Sequence, residues 1–372
     1  MKIDDKTSHN SPSLRFPEFT GEWERCVLGD VLEFSNTRIN SSELNSGNYV
    51  STENILQNFQ GIVKARSIPE DTNVMAFSCG NILLSNIRPY LKKVWKATFN
   101  GGCSSDVFVL QANSNIDADY LHYVVANDKF IGFVMNGAKG VKMPRGDKNQ
   151  MKTYSLSLPS IKEQRKISRF LSFIDERIAV QNRLIDRLQS LMKGIRHRII
   201  NEAKGKIVCL CEVSDIYQPQ TISSADLTET GYPVYGANGI IGHYTSYNHE
   251  AEQVCITCRG NTCGGVNYTK SKSWITGNAM VVNVDRYQNI VSKRYLYHYL
   301  SNCDFNSIIS GSGQPQIVRA PLAKFKIILP TVMQQYKIAH CLDVIQNKIN
   351  VNSNILNLLI RQKQYLLRKM FI

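Results

Sequence analysis

With 372 residues, 43% of them apolar and 20% charged, the chain is too long for one ordinary core and too apolar to remain unfolded, so two or more folded domains are expected. Lysine and arginine outnumber aspartate and glutamate by 44 to 30, a net charge of +14 spread along the chain; this suits a polyanionic partner, although solubility alone would be served by the same excess. No stretch approaches the ~20 apolar residues that cross a bilayer, and no apolar segment follows the N-terminus as in a signal peptide, so a cytoplasmic protein with its ten scattered cysteines reduced is expected.

Residues 1–13, MKIDDKTSHNSPS, lack apolar periodicity and read as a mobile tail. Residues 14–157 read as a first mixed domain, with strand-like NILLSNI and DVFVLQ, helix-like DADYLHYVVAND, and a loop at 137–144 rich in glycine and closed by proline. At 158–203 the pattern changes to a long helix opened by LPSIKEQRKI, with Pro159 placed where the first helical amides lack partners anyway. Its apolar residues alternate by three and four: Ile167, Leu171, Ile174, Ile178, Ile185, Leu188, Met192, Ile195 and Ile199, with Gln181 where one more is due. That is a heptad seam.

Residues 204–328 repeat the mixed pattern with QVCITCR, AMVVNV, SKRYLYHYLSN and a loop at 311–315, and 329–372 form a second helix opened by LPTVMQQYKI. The two Leu-Pro openings lie 329 − 158 = 171 residues apart. At that offset the seam recurs as Ile338, Leu342, Ile345, Ile349, Leu356, Leu359, Leu366 and Met370, with Asn352 below Gln181 and Lys363 below Met192. Helices of ~35–40 residues are roughly 50–60 Å long, and neither can hide a stripe of that length by itself. The two are therefore expected to pair as a coiled coil with Gln181 and Asn352 level, which fixes register; an antiparallel pair is preferred, and a parallel one also fits. The fold class is α+β: two mixed α/β domains joined by two long helices that form an antiparallel coiled-coil spacer, a pseudo-twofold internal repeat.

Motifs for chemistry are missing. No two prolines adjoin, which excludes the Asn-Pro-Pro-Tyr of adenine methyltransferases, and Gly205-Lys206 has Ile200 where a P-loop needs its first glycine. EAK at 202–204 ends a helix without a paired acidic strand, and YGANGIIGHY spaces Gly236, Gly239 and Gly242 with no βαβ context. Cys209 and Cys211 are close in sequence; Cys255, Cys258 and Cys263 in CITCRGNTC have the wrong spacing for a zinc site and read as small buried thiols on a strand entering a glycine-rich turn. No catalytic residue, metal or cofactor is expected on this chain.

The order LRFPEFTGEWERCVLGDV, mixed domain, LPSIKEQRKISRFLSFIDERI, second mixed domain with YPVYGANGIIGHY and SWITGNAMVV, then LPTVMQQYKIAHCLDVIQNKI resembles the specificity subunit of type I restriction-modification systems over nearly all of 14–372. The resemblance implies two target recognition domains, each reading half of a bipartite double-stranded DNA site, and a helical spacer that docks two modification (methyltransferase) subunits and, through them, restriction subunits. S-adenosylmethionine, ATP and Mg would then sit only on those partners. One departure is Gln334, where the first helix has Glu163. A spacer longer than one ~34 Å turn of B-DNA implies an unread gap between half-sites. A free-standing two-domain DNA-binding regulator would need shorter helices, and a coiled-coil scaffold would leave the basic excess unexplained.

Phosphate contacts come from loop cations, and base contacts from Arg, Asn and Gln projecting beside them. The first-domain candidates are Arg88, Lys92 and Lys93 in NIRPYLKK, with Lys139, Lys142 and Arg145 in GAKGVKMPR. In the second domain they are Arg259 and Asn261 in CRGN, Lys270 and Lys272, and Gln314 and Gln316 in GSGQPQ. Tyr90, Trp95 and Trp274 read as packing residues rather than base-stacking platforms.

Overall fold

A computed structural model describes residues 10–237, 239–311 and 313–372. Contacts divide the chain into two compact units, one running to Val180 and completed by Leu356–Ile372, the other Gln181–Ile355. Of the tail expected at 1–13, residues 1–9 lie outside the described residues. Asn10 is tied down instead: its carbonyl accepts the Trp23 amide at 3.0 Å and its side chain accepts the Ser157 hydroxyl at 2.9 Å.

In the first unit, Glu24–Val27 pairs antiparallel with Ser155–Leu158, closing the start of the domain onto its end. Leu158 is therefore the last residue of a strand, and the helix expected from 158 begins after the proline, as an X-Pro step favours. A four-stranded antiparallel sheet runs Leu32–Phe34, Val107–Ala112, Ile82–Ser85, Val94–Lys96. A second, mixed sheet runs Arg38–Asn40, Asn73–Phe77, Gly101–Cys103, Tyr49–Val50, with its last pair parallel. All four residues of Ile82–Ser85 are buried. The period of two sends Ile82 and Leu84 into the core shared with the helices, and Leu83 into a second core with Phe77, Trp95 and Val109. Helices Ala118–Val125 and Asp128–Asn136 follow, with the Asp117 and Asn127 side chains accepting the amides of Tyr120 and Lys129 as N-caps.

The second unit repeats this plan. Lys206–Cys209 pairs with Lys326–Leu329, and the sheet Asp215–Tyr217, Ala279–Asn283, Val254–Thr257, Val266–Tyr268 has the strand order of its counterpart. The counterpart of the mixed sheet, Gly239–Tyr244, Tyr232–Gly236, Trp274–Ile275, has three strands, and Ile309–Ser310 pairs with Gln316–Ile317 in a separate two-stranded sheet. Lys293–Leu300 is the domain helix, capped by Ser292.

The central helix is Ile161–Glu202, 42 residues, and the terminal helix Val332–Met370, 39 residues. Within the first unit Ile167, Leu171 and Ile174 share a core with Leu366, Leu367 and Met370. Within the second, Leu188 and Met192 cluster with Leu342 and Ile349, with Ile195, Ile338 and Ile345 packed against them. Early residues of one helix meet late residues of the other in both units, so the pair is antiparallel. Gln181 donates to the Asn352 side-chain oxygen at 2.7 Å and to its carbonyl at 3.0 Å. This is the level polar layer expected from the seam. Ile178 and Leu356 are half-buried, while Ile185 and Leu359 are buried. Ile200, not Ile199, is the residue buried in the second domain's core. Lys363, which breaks the apolar pattern, pairs with Asp175 at 2.6 Å.

The Leu-Pro…Gln-Lys-Ile repeat has a structural cause. Gln164, 1% exposed, donates to the carbonyls of Pro159 and Asn115 at 2.9 and 3.3 Å and accepts the Asp117 amide at 2.8 Å. Gln335, 0% exposed, donates to the carbonyls of Pro330 and Ile290, both at 2.9 Å, and accepts the Ser292 amide at 2.8 Å. Each glutamine thus joins the Leu-Pro entry of a long helix to the capping residue of its domain helix. The Glu163/Gln334 difference follows from burial: Glu163 is buried and receives a two-pronged hydrogen bond from Arg15 at 2.7 and 2.8 Å, whereas exposed Gln334 accepts from the Thr331 amide and hydroxyl.

Gln335→Leu should destabilise the chain by about 3 kcal/mol, because one buried amide and two carbonyls lose partners at about 1–3 kcal/mol each before relaxation; an unchanged urea midpoint would contradict the latch. A pH effect follows from His298, which is fully buried, bonded through Nε2 to Asp343 at 2.7 Å, and has no partner at Nδ1. Burial pushes it down to about 4 despite the Asp343 hydrogen bond. The unfolded chain therefore binds more protons than the folded one between the ordinary histidine value of about 6.5 and about 4. Stability contributed by neutral His298 is complete above 6.5 and disappears as pH falls to about 4. Urea midpoints across that window should fall in the parent protein and fall less in His298→Gln.

Candidate nucleic-acid interface

In the first unit the strand Ile82–Ser85 runs into a loop at 86–93 before returning as Val94–Lys96. The loop is one 3₁₀ turn, Pro89–Leu91, flanked by Arg88 at φ 51° and Lys92 at φ 54°. Left-handed backbone costs a non-glycine residue about 1–2 kcal/mol, and Arg88 also precedes a proline, which narrows its choices further. The loop at 137–147 closes onto this turn. Arg88 donates its amide to the Pro144 carbonyl at 2.8 Å and Gly146 donates to Asn86 at 3.1 Å, while Lys139 and Arg145 exchange backbone hydrogen bonds of 3.0 and 2.9 Å around the tip that carries Lys142. Two stretches more than forty residues apart in sequence are thereby clamped together, and they carry the six candidate cations of this domain.

Those cations have different surroundings. Lys92 pairs with Asp128 at 2.6 Å, Lys139 with Asp147 at 3.2 Å, and Arg145 with Asp106 at 2.9 Å. Hydrogen bonds from the Gln150 amide, Lys139 and the Asn149 amide hold Asp147 below the usual carboxylate range. Lys93 turns inward to the Thr52 carbonyl, and burial lowers its pKa. Among the described residues, Arg88 and Lys142 are exposed with no side-chain hydrogen bond or ion pair. Tyr90, expected as a packing residue, is instead 47% exposed on the turn between Arg88 and Lys92, because the 3₁₀ turn lifts its middle residue off the sheet. Trp95 packs against Phe77 and Phe99, and Trp274 against Tyr244.

The second unit builds the same clamp. Thr257 accepts its place in the loop by donating to Gly265 at 2.7 Å, as Ser85 donates to Lys93 at 3.0 Å; Cys263 donates to Gly260 as Leu91 does to Arg88, both at 2.9 Å. Gly260 donates to Pro315 at 3.0 Å and Ile317 to Cys258 at 3.0 Å. The loop register is 257 − 85 = 172, one more than in the helices. Arg88 and Lys92 therefore correspond to Gly260 and Gly264, at φ 86° and 89°, and Arg259 corresponds to Ile87. Arg259, Asn261 and Gln314 are exposed, and the backbone of half-buried Gln316 bridges to Arg259. Lys270 and Lys272 belong to a different connection, held by the Tyr235 hydroxyl and the Glu250 carbonyl, with Lys272 3.8 Å from the Glu250 carboxylate. No hydrogen bond or ion pair among the described residues ties that connection to the clamp.

Cys255 and Cys258 are buried in different clusters, and burial pushes the Cys255 thiol up to about 12. Among the described residues no three His, Cys, Asp or Glu side chains are grouped to hold a metal, and no helix is long and apolar enough to cross a membrane. The helices do carry a second apolar stripe that the seam leaves to solvent: Phe173, Val180, Leu184 and Leu191 on the central helix, and Val344, Val351, Ile355 and Leu358 on the terminal one. Their spacings of seven, four and three match the seam's, which is why sequence periodicity did not separate the two.

Residues 20–190 and 203–361 each match the family model for the type I restriction modification DNA specificity domain. The chain belongs to that family. It is 31% identical over 148 residues to the specificity subunit of the type I restriction enzyme EcoprrI of Escherichia coli, a match covering 38% of this chain and 36% of that relative. The alignment with the MjaVIII specificity subunit of Methanocaldococcus jannaschii is longer, 398 residues at 22% identity, covering 91% of this chain and 88% of the relative. In fold, the chain is similar to the S subunit of a type I restriction-modification system from M. genitalium, with a TM-score of 0.67 at 16% identity over 97% of this chain and 99% of that one. It is also similar to a chain from a structure of complex assembly in the type I R-M system, at a TM-score of 0.55, 19% identity, and 94% and 97% coverage. The family's specificity domain thus occurs twice here, once for each clamp.

Lys142→Ala removes an exposed cation without removing a contact, so folding stability should stay within about 0.5 kcal/mol. Affinity for any duplex should fall, and the slope of log K against log salt should flatten by about 1. An unchanged slope would take Lys142 out of the interface.

Proposed function

We propose that this chain is the sequence-specific DNA-recognition subunit of a type I restriction-modification complex. Each domain reads one half of a bipartite double-stranded site, and the two long helices dock two modification subunits, to which restriction subunits are added. Catalysis, with S-adenosylmethionine, ATP and Mg, belongs to those partners, and the complex works in the cytoplasm. The observation that carries this reading is the clamp built twice on one backbone plan with different side chains: Arg88, Tyr90, Lys139 and Lys142 in one domain, Arg259, Asn261 and Gln314 in the other. The same frame offering different hydrogen-bonding groups is what two unlike half-sites require. Docking on the helices is supported by the second apolar stripe, a surface for which a free-standing regulator would have no use.

Exchanging residues 14–157 for the corresponding region of a relative, in cells that supply the modification subunits, should change one half of the methylated adenine motif and leave the other intact. If both halves changed together, or neither did, two independent readers on one chain would be the wrong description.

A further inference from the structure

The repeat provides an internal control for each residue of the clamp. At the two left-handed positions of the loop the second domain uses glycine, the residue that adopts φ > 0 without strain, and the first uses Arg88 and Lys92. Lys92 has a structural reason to be there: its side chain pairs with Asp128 at 2.6 Å, anchoring the loop to the helix Asp128–Asn136. Arg88 has none. Its backbone hydrogen bonds to Pro144 and Leu91 would be kept by a glycine, its guanidinium is exposed, and no side chain among the described residues pairs with it. At the matching Gly260 an added Cβ would meet nothing within 4 Å, so a side chain at this position leaves the clamp toward open solvent.

Strain held where the fold does not need it points to a ligand that fixes position and direction. A phosphate contact does not demand this, because a cation on any relaxed stretch of the same loop would serve, as Lys142 does. A base edge does demand it. We propose that Arg88 is a specificity-determining residue whose planar guanidinium fork reads guanine O6 and N7 in the major groove of the first domain's half-site. This rests on the reading of the chain as a DNA-recognition subunit. The second domain, with Gly260 in the same place, has no counterpart to this contact, and its half-site is read by other groups.

The test uses the full chain in complex with its modification subunits and a duplex library randomised at both half-sites, comparing the parent with Arg88→Gly and Arg88→Lys. Arg88→Gly should melt at or above the parent temperature, because glycine relaxes φ 51°, and should lose a preference for guanine of about tenfold or more at one position of one half-site. Arg88→Lys keeps the charge and the strain but not the planar fork, so affinity should hold within a few-fold while the same guanine preference is weakened. The other half-site stays unchanged in both. An unaltered motif in either variant, a uniform loss of affinity with no change of motif, or a lower melting temperature for Arg88→Gly would overturn the assignment. A parent complex that enriches no motif would instead remove the DNA-recognition reading itself.

Discussion

Two buried glutamine side chains set how each domain is attached to its helix. A long helix entering from a strand through Leu-Pro has free direction unless something ties its first turn to the body it leaves. Gln164 and Gln335 do this by filling all their main hydrogen-bonding capacity with backbone, at the Leu-Pro carbonyl behind them and at the loop and cap of the domain helix beside them. From one planar group, a side-chain amide of that length donates twice and accepts, which this arrangement uses in full. Burial makes the arrangement stiff, since every partner would be left unsatisfied by a displaced helix.

With the helix entry fixed, the rest of each unit follows. The heptad stripe directs Ile167, Leu171 and Ile174 into the first core with Leu366 and Met370, and Leu188 and Met192 against Leu342 and Ile349 in the second unit. The polar layer of Gln181 and Asn352 fixes register where uniform apolar layers would allow a slip. On each domain the paired first and last strands and the sheet hold the clamp loops at both ends, so the exposed groups vary on a constant frame. Strain at Arg88 is tolerated because that frame over-determines the loop: hydrogen bonds from 139, 145 and 146 surround it.

What the sequence showed, and what it hid, divides by distance along the chain. The helices, their seam, their polar interruption and the duplication are local or strictly periodic, so they could be read directly. The glutamine latch was visible as a repeated letter, but its cause was not, because Asn115 and Asp117 lie about fifty residues away from Gln164. The two candidate loops of each domain were named separately, and only the fold shows that they touch. The loop register is 172 where that of the long helices is 171, which hides the match of Arg88 with Gly260 from a fixed-offset comparison. Lys93 and Tyr90 exchange their expected surroundings because a single 3₁₀ turn decides which neighbour faces inward, and that turn depends on the loop at 137–147. The second apolar stripe shares the seam's period and becomes distinct only through exposure.

The central claim, that the duplicated clamps read separate halves of one DNA site, is tested most directly by site-specific photo-crosslinking. A photo-reactive residue is placed at position 142 in one protein and at position 261 in another, each assembled with the modification subunits on a duplex carrying the methylated motif. Crosslinks from 142 should map to one half-site and those from 261 to the other, with none from either in the bases between. Crosslinks from both positions to the same half, or to neither, would contradict the claim.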